Sequence, residues 1–350
     1  MKEIDKRYDG LSEESGLRYG IIEVTRLCQN RCPGCYMVRR DDLDTRQMTL
    51  EQAVRVLDLC RDYLGKELET MDILGGEPTS WPFLKDYIEE LLRRGILPWI
   101  FTNMLPITEE LARWFFERKV HITGKLNIGN FSDPAQVAIQ ANMIGSSTKA
   151  AMLMEEKIDL LLKVGYKDPL LKLENLLRME NISFAPEYYR FCLEKGIGAD
   201  MEMLACGDKK IDWSITPSRE MVAQMIKDVQ AVRKDFGLSD AEVLMPHIFG
   251  SCAFYNKGLY FAVDGHIRAC SNSTYRLAYV DDPEPIKMAY ESQLISCRLK
   301  LSKDIIGEPC KSCCKWDKCR GGCRATAENI GNPFSGYTLC PVPYLSGPKQ

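Results

Sequence analysis

Short apolar runs alternate with longer amphipathic stretches from residue 19 to about residue 205. The apolar runs predict strands over 19–24, 70–74, 97–102, 120–128, 170–177 and 198–204. Helices are predicted between them, over 50–64, 81–94, 109–118, 148–164 and 186–195. Over 50–64, Leu50, Val54, Leu57, Cys60 and Leu64 recur at three- and four-residue steps, the stripe of a helix packed on one side. A further helix over 216–236 opens with Pro217 just inside its start. Strand–helix alternation with short links predicts an α/β fold whose parallel strands form a partial (β/α)6 barrel. Ligands then belong at the C-terminal strand ends. The runs CQNRCPGC, GGEPT and Thr102-Asn103 each fall just after a predicted strand. The stretch 130–149 is longer than a usual strand-to-helix link and rich in Asn, Ser and Gly, so it reads as a substrate-side loop or as a tolerated surface insertion.

From residue 244 onward the strands shorten and cysteines multiply, which divides the chain into an N-terminal segment (1–18), a barrel (19–240) and a small cysteine-rich C-terminal domain (245–350). At 350 residues, with 45% hydrophobic and 27% charged content, the chain has the composition of a globular protein large enough for more than one domain. A net charge of −3 and the lack of a basic stripe argue against nucleic acid as a partner. No apolar run reaches membrane-span length, and the N-terminus lacks the apolar core of a signal peptide. The expected location is the cytoplasm, with no membrane partner. In that setting the 15 cysteines, clustered as they are, favour metal over disulfides. With only three histidines (His121, His247 and His266) and no ligand-like pair among them, any metal site must be thiolate-rich.

Cys28, Cys32 and Cys35 stand at C-x3-C-x2-C on one loop. Three thiolates there can hold three irons of a four-iron cluster and leave the fourth open for a ligand. A zinc knuckle is the competing reading, although structural zinc wants four closed ligands. Gly75-Gly76-Glu77-Pro78 follows the second strand: two glycines let backbone approach a ligand, and the carboxylate can meet a cationic group.

With these two motifs in order, the chain resembles the radical SAM enzymes along essentially its whole length. The resemblance implies a [4Fe–4S] cluster on Cys28, Cys32 and Cys35 whose open iron is chelated by S-adenosylmethionine. It places Gly75, Gly76, Glu77 and Pro78 against the methionine amino group, and Asn103 and Arg178 at further cofactor positions; for Arg178 a surface role is the alternative. The residue before the third cysteine, often aromatic and near adenine in that family, is Gly34 here, which leaves Tyr36 as the candidate for that contact. The C-terminal cysteines resemble the SPASM extension: Cys252-x12-Gly265-x4-Cys270, then Cys310, Cys313, Cys319 and Cys323 at C-x2-C-x5-C-x3-C, then Cys340. That pattern implies two auxiliary iron–sulfur clusters, each [4Fe–4S]. One falls to Cys310, Cys313, Cys319 and Cys340, the other to Cys252, Cys270 and Cys323. Many relatives place a further cysteine between the positions of Cys252 and Cys270, and this chain has none. The second set therefore keeps an open iron, or is completed by a carboxylate such as Asp264 or by a distant thiol.

Of the remaining cysteines, Cys60 and Cys192 lie on helix stripes and read as core, Cys297 has no assigned role, and Cys314 adjoins Cys313 as a bystander. Cys206 follows the sixth strand, where a thiol could donate a hydrogen atom to a substrate radical; the alternative is a packed small hydrophobe. Glu202 on the same strand reads as a general base or substrate anchor. Asp212 and Trp213 carry no assignment. The implied chemistry is one-electron cleavage of S-adenosylmethionine and hydrogen-atom abstraction from a substrate carbon. The expected substrate is a ribosomally made peptide, to be crosslinked, epimerised or dehydrogenated. A sugar, an aminocyclitol or another small molecule is the alternative, and a non-catalytic iron–sulfur or zinc protein a second one. Flavodoxin or ferredoxin is the implied electron donor. Only 27 residues precede Cys28, too few for a leader-binding module, which weighs against a self-contained peptide maturase and leaves a separate leader-peptide-binding protein as a candidate partner.

Overall fold

The first strand, β1 (Tyr19–Thr25), is buried along its whole length, because neighbours pair with it on both sides. In the computed structural model, which describes residues 16–35, 45–203, 213–239, 257–292, 301–332 and 334–345, β1 pairs in parallel with β2 (Thr70–Gly75) and with β7 (Gly258–Phe261). The sheet runs outward from β2 through β3 (Leu97–Thr102), β4 (His121–Lys125) and β5 (Leu171–Leu177) to β6 (Gly198–Met203), every pair parallel. On the other side, β8 (His266–Arg268) and β9 (Ala278–Tyr279) continue from β7 with antiparallel pairing. The order β6-β5-β4-β3-β2-β1 is the sequential winding of an open partial barrel, and the sheet continues past the composition change at 240–245.

Helices α1 (Leu50–Leu64), α2 (Leu84–Arg93) and α3 (Glu109–Glu117) cover the first three strands, and α5 (Thr148–Val164), α6 (Ala185–Lys195) and α7 (Arg219–Asp235) the rest. Local chemistry fixes α1 at both ends. Thr49 and Gln52 form a reciprocal capping box, and Gly65 closes the helix in the left-handed region at φ 67°. Its buried face is Ala53, Val56, Leu57 and Cys60, and Cys60 and Cys192 are both core residues. Before α7 the cap is Ser218, which accepts from the Met221 N–H, so the helix begins two residues beyond Pro217.

The long stretch 130–149 contains a helix, α4 (Pro134–Met143), rather than an extended loop. Asp133 caps it by accepting from the Ala135 N–H, and Pro134 occupies the first turn. Its buried face carries Gln136 and Gln140 beside Val137, Ala141 and Met143. A face built on glutamines has no apolar period, which hid the helix from the sequence pattern.

Among the described residues, the C-terminal segments hold four short helices: α8 (Pro285–Tyr290), α9 (Trp316–Cys319), α10 (Arg324–Ile330) and α11 (Val342–Leu345). Among the described residues no helix is long and apolar enough to cross a membrane.

Candidate active site

The loop after β1 carries Cys28, Cys32 and Cys35, all half-buried, at the C-terminal rim of the barrel. A turn closes it, with the Cys35 N–H donating to the Cys32 carbonyl at 3.0 Å. Burial pushes the Cys28 thiol up to about 11, against the Asn30 N–H, which donates to its sulfur at 3.4 Å. Burial also pushes Cys32 up to about 12, reinforced by Cys35 and Cys28. Buried thiols such as Cys28 and Cys32 are released as thiolates when a cation compensates them, as metal or cluster ligands are. In the same loop Asn30 is buried, and neither atom of its amide has a hydrogen-bond partner.

The GGEP run packs straight onto this loop. The Gly76 N–H donates to the Thr25 carbonyl at 2.6 Å, and the Glu77 N–H donates to the Leu27 carbonyl at 2.7 Å. A Cβ on Gly75 would lie 2.3 Å from the Thr25 oxygen, and one on Gly76 2.1 Å from the Leu27 oxygen. The two glycines are therefore required first by the chain's own cysteine loop. Glu77 is fully buried and accepts from the Thr79 N–H and hydroxyl, the Thr102 hydroxyl at 2.7 Å and the Asn103 N–H at 2.8 Å. Burial raises its pKa and these donors pull it back. With Glu77 and Pro78 buried, the accessible part of the run is the half-buried backbone at Gly75 and Gly76.

Asn103 completes the junction. Its amide oxygen accepts from Gln29 Nε2 at 2.9 Å and from the Leu105 N–H at 3.1 Å, and its Nδ2 donates to Cys28 Sγ at 3.8 Å. The loop after β1, the run after β2 and the end of β3 thus meet at Cys28. Arg178, beyond the end of β5, is buried rather than on the surface. Its Nη1 lies 3.1 Å from Glu180 Oε1, and its buried Nε has no hydrogen-bond partner. An unsatisfied guanidinium N–H is a donor waiting for an anionic group such as a carboxylate.

Inside the barrel Glu202 belongs to a charged centre whose other members, Lys125 and Glu174, the sequence pattern left out. Lys125 at the end of β4 donates to Glu174 of β5 at 2.5 Å, and Glu174 is hydrogen-bonded to Glu202 of β6. Burial, then the nearby Glu202, push Glu174 up to about 8, against the pull of Lys125. Burial would lower Lys125, but Glu174, Glu202 and Cys32 outweigh it and hold the ammonium above its usual range. Glu174, its carboxyl raised and bonded to Glu202, thus lies beside Lys125, which also senses Cys32 of the cysteine loop. On the opposite wall Glu23 is buried and held by Arg26 at 2.7 Å and by the Tyr260 hydroxyl. Arg26 also reaches Asp264 at 3.2 Å. Burial would raise Asp264, yet its bonds to the His266 N–H and ring and its pairing with Arg26 hold it at about 2. Asp264 therefore ties the β7–β8 turn to the barrel.

In the C-terminal part, Cys310, Cys313, Cys319 and Cys340 line one small pocket together with Trp316, Gly321 and Tyr337. Backbone N–H groups point at the sulfurs: Tyr337 at Cys310 (3.1 Å), Lys315 at Cys313 (3.4 Å), Gly321 and Gly322 at Cys319, and Val342 at Cys340. Such N–H···S bonds stabilise thiolates that carry metal. Among the described residues no three His, Cys, Asp or Glu side chains are placed to hold a single metal ion. Cys323, buried, caps α10 and accepts from the Thr326 N–H at 3.4 Å, and Cys270 is half-buried. Glu328, one turn further along α10, joins these two cysteines' segments. It accepts from the Ser273 and Thr274 hydroxyls and from the Thr274 and Tyr275 N–H groups. Cys314 is exposed. Tyr36, Cys206, Asp212, Cys252 and Cys297 lie outside the described residues, as does the side chain of Trp213.

Comparison with known proteins agrees with this geometry. Residues 22–178 match the Radical SAM superfamily. A curated relative from Pyrococcus furiosus, a tungsten-containing aldehyde ferredoxin oxidoreductase cofactor-modifying protein, is 28% identical over 188 residues, covering 52% of this chain and 50% of the relative. The chain thus spans about half the length of that relative. Streptococcus suis SuiB, solved bound to its precursor peptide SuiA, superposes with a TM-score of 0.69 at 16% identity, over 96% of this chain and 78% of SuiB. The enzyme anSMEcpe, solved with bound AdoMet and a Cp18Cys peptide, superposes with a TM-score of 0.65 at 18% identity, over 89% of each chain. At those identities the likeness to the solved structures establishes the fold, and the superfamily match supplies the cofactors it implies, a [4Fe–4S] cluster and S-adenosylmethionine. A three-thiol loop at the barrel rim, packed on GGEP and Asn103, thus lies within the residues that match the Radical SAM superfamily.

Proposed function

We propose that this enzyme modifies a peptide by hydrogen-atom abstraction, with a SAM-binding cluster on Cys28, Cys32 and Cys35 and two auxiliary [4Fe–4S] clusters on the C-terminal cysteines. The observation that carries the three-cluster reading is the pocket lined by Cys310, Cys313, Cys319 and Cys340, its sulfurs met by backbone N–H groups. Cys270 and Cys323, on segments joined by Glu328, supply the other set, with Cys252 assigned from its spacing. When bound, the SAM-liganded cluster supplies a one-electron cleavage that yields a 5′-deoxyadenosyl radical. The protein's own residues do the rest. Gly75 and Gly76 offer backbone to the methionine ammonium, and Arg178 offers its unpaired Nε to the carboxylate. Asn103 steadies Cys28 and Gln29. The Glu174–Glu202 pair, hydrogen-bonded beside Lys125, is placed to take or give a proton at the substrate. Tyr36 is assigned to the adenine and Cys206 to hydrogen-atom return, both on sequence position alone.

The peptide reading draws support from the fold shared with SuiB and anSMEcpe, each solved with a peptide. A second reading, a small-molecule substrate, draws support from the cofactor-modifying relative and from the charged lining of the barrel. Flavodoxin or ferredoxin as donor, and a separate leader-binding partner, complete the proposal. Reconstituted enzyme should hold about twelve irons, three four-iron clusters, and form deoxyadenosine when reduced with S-adenosylmethionine. Zinc in place of iron, with no cleavage, would overturn the reading. Neighbouring genes separate the substrates: a short precursor-peptide gene supports the first reading, sugar- or cofactor-biosynthesis genes the second.

A further inference from the structure

Tyr337 lies between α10 and Cys340 along the chain and is 2% exposed. Two cysteines of the C-terminal set hold its backbone. Its N–H donates to Cys310 Sγ at 3.1 Å, and its carbonyl accepts from the Cys340 N–H at 3.2 Å. Gly336, just before it, lets the chain press against the segment that leads to Cys310, since a Cβ there would lie 2.1 Å from the Glu308 oxygen. Fixed in this way, Tyr337 lines the pocket of Cys310, Cys313, Cys319 and Cys340.

The Tyr337 hydroxyl is buried, and among the described residues no group makes a hydrogen bond with it. It lies within electrostatic reach of the Cys323, Cys340 and Cys319 sulfurs and of the Arg324 guanidinium. A guanidinium has no acceptor atom, so Arg324 cannot take this proton. The sulfurs already receive backbone N–H groups: Thr326 at Cys323, Val342 at Cys340, and Gly321 and Gly322 at Cys319. A buried donor without an acceptor costs free energy, and a phenylalanine would fill the same space without that cost. A tyrosine at this position is explained when the acceptor arrives with the group that the pocket binds.

We propose that the Tyr337 hydroxyl donates a hydrogen bond to a sulfur of the cluster held by Cys310, Cys313, Cys319 and Cys340, and that this bond raises the cluster's reduction potential. This rests on the reading of that set as an iron–sulfur site. All four of its cysteines, and Tyr337, belong to the described residues. A hydrogen bond withdraws negative charge from a sulfur and so favours the reduced form. The effect is larger in a dry site, where the local dielectric is low. Tyr337 is thus a positioning residue, fixed by its backbone on two ligands and acting through the centre they hold.

The test is a redox titration, followed by electron paramagnetic resonance, of the reconstituted enzyme and its Tyr337→Phe variant. The signal lost in Cys313→Ala identifies the pocket's cluster, and the N-terminal cluster, recognised by its response to S-adenosylmethionine, is the reference. In Tyr337→Phe the pocket's cluster should become harder to reduce by at least threefold in equilibrium constant, about 28 mV for one electron. The reference should not move. Pulsed measurements in heavy water should find a deuteron coupled to that cluster in wild type and missing from Tyr337→Phe. A smaller shift in a fully loaded variant, a shift in the other auxiliary cluster alone, or an unchanged deuteron pattern would overturn the proposal. If Tyr337→Phe fails to load, fluorotyrosine at position 337 decides. Its more acidic phenol donates more strongly, so a higher potential supports the bond and an unchanged one overturns it. Wild-type enzyme holding only about four irons would instead overturn the reading of the auxiliary sets, and the proposal with it.

Discussion

Glu77 shows how one residue can serve two ends of the site. Its carboxylate collects four donors from Thr79, Thr102 and Asn103 and so fixes the end of β3 against the cysteine loop. Glu77→Ala would strand those buried donors, and urea unfolding should show a loss of roughly 3 kcal/mol, the scale of a few unsatisfied groups. Glu174 makes a prediction in pH. Its native pKa of about 8 lies above the roughly 4.3 of an unfolded glutamate, so the native state binds more protons between those values. Stability contributed by the group is complete at low pH and falls as pH rises through that window. Glu174→Gln removes that slope, at most about 1.4 kcal/mol per pH unit. Its stability relative to wild type should therefore climb from about pH 4 to about pH 8 in denaturation curves; a constant difference would refute the assignment. The sequence exposed Cys28, Gly75 and Asn103 because their chemistry follows strand ends. It hid Lys125 and Glu174 because polar residues alternating along a strand look like a solvent face, whereas here that face lines the barrel interior.

At the scale of elements, strands and capped helices were legible and α4 was not. The six parallel strands begin and end within a few residues of their apolar runs, since a strand packed on both sides leaves a plain signal. In α4 the inward positions are Gln136 and Gln140, whose amides support the loop beyond β4. Gln140 Oε1 accepts from the Asn127 N–H at 2.9 Å, and Gln136 Oε1 from the Gly129 and Asn130 N–H groups at 3.2 and 3.1 Å. Gln136 Nε2 also donates to Glu187 at the start of α6 at 2.5 Å. The stretch read as a substrate-side loop or surface insertion is thus a scaffold for the rim. Gln136→Ala should cost about 2 kcal/mol, because two backbone donors lose their acceptor, and thermal unfolding measures this. A variant as stable as wild type would return the segment to a dispensable insertion.

Over the whole molecule, the sheet and α10 connect the cysteine loop after β1 to the C-terminal cysteine segments. β7 pairs with β1, the strand that leads into Cys28, and the Glu23–Arg26–Asp264 chain crosses the same seam. Cysteine spacing alone made the C-terminal sets legible as candidates, but the joint between the Cys270 and Cys323 segments at Glu328 depends on long-range contacts that no local pattern records. Glu328→Ala should free the Cys270 segment from α10, so that iron content falls from about twelve to about eight per chain while deoxyadenosine formation persists. Full iron content in that variant would place the clamp outside cluster assembly. The central claim is that the rim of this barrel cleaves S-adenosylmethionine, and its most direct test is deoxyadenosine released by the reduced, reconstituted enzyme. Steady formation by wild type, abolished in Cys28→Ala, is the predicted result. No deoxyadenosine from fully loaded wild type, or undiminished formation by Cys28→Ala, would contradict it.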